Sequence, residues 1–145
     1  MRLFLAVLFL VFLQLVYSLT PQQQAARDFV ISLYKHYSFR DSDIIHPDFQ
    51  IVKNNVVTQT YEQAVKIIEN RTDDETKKMT DLFKQHLAYS NAEWEQALNQ
   101  YNIIKFNDDG LEIKHYKNNK LDFVFFLKKD SNIEGGYKFL RLDEY

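Results

Sequence analysis

Apolar and polar positions alternate with different periods in successive stretches of this chain. Behind a single cation, Arg2, an unbroken apolar run extends from Leu3 to Leu13, and Leu15, Val16 and Tyr17 continue it past Gln14. From Ala26 the spacing becomes helical: Ala26, Phe29, Val30, Leu33 and Tyr37 recur at i, i+3, i+4, i+7 and i+11, one stripe. Thr20 with Gln23 forms a capping box, and Pro21 fits the first helical position, so a helix is predicted from there to about Ser38. Asp41 to His46 reads as one further short turn before Pro47.

Asp48 to Lys53 alternates, with Phe49 and Ile51 on one face and Gln50 and Val52 on the other. Asn54-Asn55 then turns the chain into Val56-Val57-Thr58, a short hairpin. Thr60 with Gln63 caps a helix whose stripe is Tyr61, Ala64, Val65 and Ile68. Thr72 with Glu75 and Ser90 with Glu93 offer two more caps. They would head helices bearing Met79, Leu82, Phe83 and His86, and Trp94, Ala97, Leu98 and Tyr101. Periodicity leaves parts of residues 72–101 open to a long strand instead.

The last third has period two. Asn102 to Phe106, then Leu111, Ile113 and His115, then Leu121, Phe123, Phe125 and Leu127, then Tyr137 to Leu142 are strands. The turns between them are Asn107-Asp108-Asp109-Gly110, Asn118-Asn119 and Gly135-Gly136. Helices first and a meander last predict an α+β class, with amino-terminal helices packed on a curved antiparallel sheet in one domain spanning residues 19–145.

Three segments carry a resemblance: "AARDFVISLYKHY" (25–37), "HPDFQIV" (46–52) and "LDFVFFLKKDSNIEGGYKFLRL" (121–142). With the order of elements, they resemble the nuclear transport factor 2-like superfamily, whose cone-shaped fold wraps a bent sheet around an amino-terminal helix. The likeness is to its small exported members, many without an assigned function. Residues 72–101 depart from the pattern, being longer and more helical than the usual link. The resemblance implies a cavity between helix and concave sheet. It also implies two kinds of use for that cavity: ligand binding, or the acid–base chemistry of ketosteroid isomerase-like and polyketide cyclase-like enzymes.

The leading run is shorter than the ~20 apolar residues that cross a bilayer. With Val16 and Ser18 placed before a cut after residue 18, residues 1–18 read as a cleavable signal peptide, and the expected location is secreted, extracellular. Losing Arg2 takes the net charge from −2 to −3, which excludes the basic footprint of a nucleic-acid binder. No basic amphipathic stretch of the kind that lies on lipid follows, so no membrane partner is expected once the signal is gone. There is no cysteine, so the aromatic residues, 12 Phe, 9 Tyr and 1 Trp over the whole sequence, are expected to carry much of the core without disulfides. The sequon Asn70-Arg71-Thr72 marks Asn70 as a glycosylation candidate.

Candidate chemistry is sparse. The four histidines, His36, His46, His86 and His115, lack the His-x-His or His-x₃-His spacing of a metal site, and three glycines supply no phosphate loop, so neither metal nor cofactor is expected. His115 shares a face with Leu111 and Ile113, which makes it the one histidine expected inside the sheet. Asp48 and Tyr34 are the other catalytic candidates, Tyr34 as a hydroxyl flanking the helical stripe. Asp122, beside His115 on the next strand, is expected on the face opposite Phe123 and Phe125. Val124 and Phe126 make the strand Leu121–Leu127 apolar on its second side, the surface expected to meet a protein partner or a second copy in a homodimer. The alternative is that a helix from residues 72–101 covers that face. Taken together the residues favour a non-catalytic exported module that binds a small apolar ligand or a protein partner. The acid–base enzyme is the alternative.

Overall fold

A computed structural model describes residues 5–8, 18–38, 41–101 and 103–145. Most of the apolar leader, up to Tyr17 just before the expected cut, lies outside the described residues, as do Asn102 and the side chains of Tyr37, Ser38, Met79, Leu82 and Phe83. Among the described residues no helix is long and apolar enough to cross a membrane.

Helix α1 spans Pro21–Ser38. Its start is held as a capping box: the Thr20 amide donates to Gln23 Oε1 at 3.1 Å, and the Gln23 amide donates to Thr20 Oγ1 at 3.1 Å. Hairpin β1 (Ile45–Lys53) and β2 (Val56–Thr60) turns at Asn54 and Asn55, both with positive φ (51° and 63°), the backbone that a two-residue hairpin of matching twist needs. Helices α2 (Tyr61–Glu69), α3 (Asp73–Leu87) and α4 (Asn91–Leu98) follow. Thr72/Glu75 and Ser90/Glu93 close full capping boxes at the heads of α3 and α4. Residues 73–87 and 91–98 are therefore two helices separated by a short break, not a long strand.

The meander comprises β3 (Ile103–Phe106), β4 (Gly110–Lys117), β5 (Lys120–Lys129) and β6 (Tyr137–Glu144). The sheet order is β2-β1-β6-β5-β4-β3. It is mixed rather than wholly antiparallel, because β1 lies parallel to β6, its distant partner in sequence. Long connections impose no hairpin geometry, so that pairing is free to run either way. The predicted turn is also shorter than expected: it is confined to Asp43 and Ile44, and β1 takes in His46 and Pro47. The β1–β6 ladder breaks between Ile45 and Gln50, so the proline's missing N–H costs no regular ladder bond. Further bulges interrupt β4/β5 and β5/β6 and bend the sheet.

The helices share one core with the inner face of this sheet. Ala26 and Phe29 of α1, Ala64 and Ile68 of α2, and Trp94 and Leu98 of α4 join Phe49, Leu111, Ile113 and Leu127 in a single buried cluster. Helix α3 packs on α1 rather than across the sheet's outer face. The turn before β6 is docked onto α1: buried Ser32 donates its hydroxyl to the Glu134 carbonyl at 2.5 Å. Gly135, at φ +88°, passes so close that a Cβ there would stand 2.7 Å from Ser32 Cβ.

Candidate functional site

The core does not fill the space between α1 and the sheet. A cavity of about 270 Å³ is bounded by Ala26, Phe29, Val30 and Leu33 of α1, by Leu98 and Tyr101 at the end of α4, and by Ile113, Phe125 and Phe139 of the strands. The helical stripe read from the sequence is thus one wall, and one residue each of β4, β5 and β6 contributes the other. Tilted ring contacts hold the aromatic wall: Phe29–Phe139 at 6.2 Å and Phe125–Phe139 at 5.6 Å between centroids.

Among the described residues Tyr101 is the single ionisable group in that lining. Burial raises its phenol above the ordinary value of 10.0, a shift partly offset by a hydrogen bond with the Gln100 side chain. The phenol therefore stays protonated across the neutral range, able to donate a hydrogen bond.

Beside Tyr101 stands a second polar element. The His115 ring stacks on Phe123, with centroids 4.7 Å apart and planes at 14°, and meets the Tyr101 ring edge-on at 5.8 Å. His115 Nδ1 lies 3.6 Å from Asp122 Oδ2 and, though buried, makes no hydrogen bond. The alternation of β5 places Asp122 on the opposite face, and the structure corrects that expectation. The register slips between His115 and Tyr116: His115 pairs with Phe123, but Tyr116 pairs with Leu121. Asp122 is the extra residue of the bulge, and a bulge re-aims a side chain that simple alternation sends outward. Asp122, Phe123 and Phe125 also border an open depression of about 360 Å³ with Lys53, Leu142, Glu144 and Tyr145. Phe125 is common to both hollows.

The other candidates do not join this group. Asp48 is on β1 with a side chain 84% exposed, and its amide donates to His46 Nδ1 at 3.0 Å, a local contact. Tyr34 is half-buried on α1 outside the cavity lining. His36 Nδ1 pairs with Asp41 Oδ2 at 2.8 Å, and His86 packs among Tyr89 and Trp94. Among the described residues no group of three or more His, Cys, Asp or Glu side chains could hold a metal ion. Sequence reasoning missed Tyr101 as a site residue. Its signal is the apolar stripe predicted for the last helix, which reaches Tyr101, although the helix itself ends at Leu98.

On the outer face, Val124 is 3% exposed and Phe126 half-buried. Val124 sits in register between Lys114 of β4 and Asp143 of β6, and Phe126 between Glu112 and Arg141. Those four charges form two ion pairs on the strands: Lys114–Glu112 at 3.2 Å and Arg141–Asp143 at 2.5 Å. Val124 therefore offers little surface to a partner, and Phe126 is the more accessible of the two.

No protein-family model matches the sequence, and no curated protein matches it. Among solved structures, a designed protein described as "Rd1NTF2_04 with long sheet" is similar at 15% identity, covering 83% of this chain and 99% of its own, with a TM-score of 0.38. Among the described residues the architecture is α+β: helices α1 to α4 pack together with the inner face of a bent six-stranded mixed sheet.

Proposed function

We propose that the chain is an exported, non-catalytic module that holds a small apolar ligand between α1 and the inner face of the sheet. One observation carries the reading: a partly open hollow of about 270 Å³ bounded, among the described residues, by eight apolar side chains and a single phenol. Pockets that bind small molecules combine such walls with a few placed polar groups. An engineered apolar cavity of about 150 Å³ admits benzene, so on the same scale this one suits a ligand of about 11 non-hydrogen atoms. The Tyr101 hydroxyl adds a preference for a ligand with one hydrogen-bond acceptor.

Calorimetric titration with tetralin and with 1-tetralone, bicyclic probes of that size without and with a carbonyl, tests this. Both are expected to bind once per chain, the ketone more tightly. Tyr101→Phe is expected to weaken the ketone by about threefold to tenfold, as the loss of one hydrogen bond does, and to leave tetralin unchanged. Val30→Trp, which fills the space, is expected to abolish both. Binding of neither probe, or binding that survives Val30→Trp, would refute the reading.

A second reading, an isomerase- or cyclase-like acid–base enzyme, draws on the His115–Asp122 pair beside Tyr101. Its test is proton exchange at the carbon next to the tetralone carbonyl in heavy water. Exchange above the buffer rate that is lost in His115→Ala would establish it, and exchange at the buffer rate leaves the binding module.

A further inference from the structure

The single sequon of the chain falls at a corner between two helices. Asn70 is the C-cap of α2: its amide donates to the Lys66 carbonyl at 3.0 Å while its side chain is exposed. Thr72 is the N-cap of α3, where its hydroxyl accepts from the Glu75 amide at 3.2 Å. Residues 70–72 thus have no buried side chain whose place a sugar would take. One turn before Asn70, Ile67 is 54% exposed, while its neighbours Ala64 and Ile68 are buried in the core. Residues three apart share a helix face, so Ile67 and Asn70 present adjacent surface. More than half of Ile67 lies in solvent, while Ala64 and Ile68 are the buried residues of that nine-residue helix.

We propose that Asn70 carries an N-linked glycan and that the first sugars of that glycan lie over Ile67. In the transfer, the Asn70 amide nitrogen displaces a lipid diphosphate from an activated oligosaccharide. One N–C glycosidic bond forms, the C–O bond to the diphosphate breaks, and the amide gives up one proton, with no change of oxidation state. The acceptor is the extended chain, before Thr72 takes up its cap. After folding, the corner keeps the sugar in solvent. The inference rests on the export reading and is independent of ligand binding.

The experiment is expression of the full chain in eukaryotic cells, with the medium and the cells analysed by mass spectrometry before and after peptide:N-glycosidase. The expected product is a secreted chain carrying one glycan that the enzyme removes. Asn70→Gln and Thr72→Ala are expected at the sugar-free mass, and Thr72→Ser, which keeps both hydroxyl and cap, is expected to retain the glycan. Removing the sugar enzymatically is expected to lengthen retention on a hydrophobic column, and Ile67→Ser to cancel that change. A secreted chain of sugar-free mass would overturn the glycan while leaving export standing. A chain kept inside the cell without sugar would overturn both. Retention that does not change on sugar removal would overturn the placement over Ile67.

Discussion

Strand β5 has two apolar faces that end up in opposite circumstances. On the inner face Phe125 pairs with Ile113 and Leu142, and Leu127 with Leu111 and Phe139, so each apolar side chain meets others of its kind. On the outer face Val124 and Phe126 meet Lys114, Glu112, Asp143 and Arg141 instead. The apolar character of the strand is similar on its two sides; the neighbouring strands differ. Large rings on the inner side pack against α1 without filling the gap, which leaves a cavity. On the outer side the aliphatic stems of lysine and arginine can close over a small Val while their heads stay in water. One strand thus serves as a cavity wall on one side and as a face covered by charged side chains on the other, and which is which depends on the residues opposite.

The widest separation between the faces is expected from truncation. Leu127 is 2% exposed within the common core, so Leu127→Ala is expected to cost about 2–5 kcal/mol in urea unfolding. Val124→Ala removes two methyl-sized groups under flexible charged neighbours that can settle, and about 1.6 kcal/mol is expected. Equal losses at the two positions would show that the outer face is packed as rigidly as the core. An intermediate loss is expected at Gly110, the first residue of β4. A Cβ there would stand 1.8 Å from the Leu127 carbonyl oxygen, a backbone atom that cannot swing away. Gly110→Ala is therefore expected to cost about 1–3 kcal/mol, as overpacking does, through the inner-face ladder.

Much of this fold is legible in the sequence, because short-range chemistry determines it. Thr20, Thr72 and Ser90 each find the Gln or Glu three residues on, and the Asn-Asn pairs at 54–55 and 118–119 take positive φ as hairpin turns require. The stripe Ala26–Leu33 and the alternation of β5 likewise predict the two walls of the cavity. What is illegible depends on long-range register. The parallel β1–β6 pairing joins strands separated by most of the domain, and nothing local marks it. The bulge that brings Asp122 beside His115 is one inserted residue in a ladder, and period-two reading assigns Asp122 to the wrong face. Tyr101 becomes a cavity residue only once α4 is docked. Ser32, polar but buried, is explained only by the Glu134 carbonyl that comes to it from 102 residues away.

The smallest expected effect tests whether the outer face is as solvated as its charges suggest. Arg141 is 45% exposed at its side chain and Asp143 15%, so the pair straddles the boundary between surface and interior. Exposed ion pairs contribute about 0.2–1 kcal/mol in double-mutant cycles, because solvent screens them and ordering two side chains costs entropy. A cycle of Arg141→Met, Asp143→Asn and the double variant is expected to give a coupling in that range that shrinks between low and high salt. The single change at Arg141 is expected to cost more than that at Asp143, since it leaves a mostly covered carboxylate without its partner between Val52 and Val124. A coupling well above 1 kcal/mol that ignores salt would make the pair part of a dry surface. The outer face of β5 would then be a second packed layer, and the contrast between the two sides of the strand would fall.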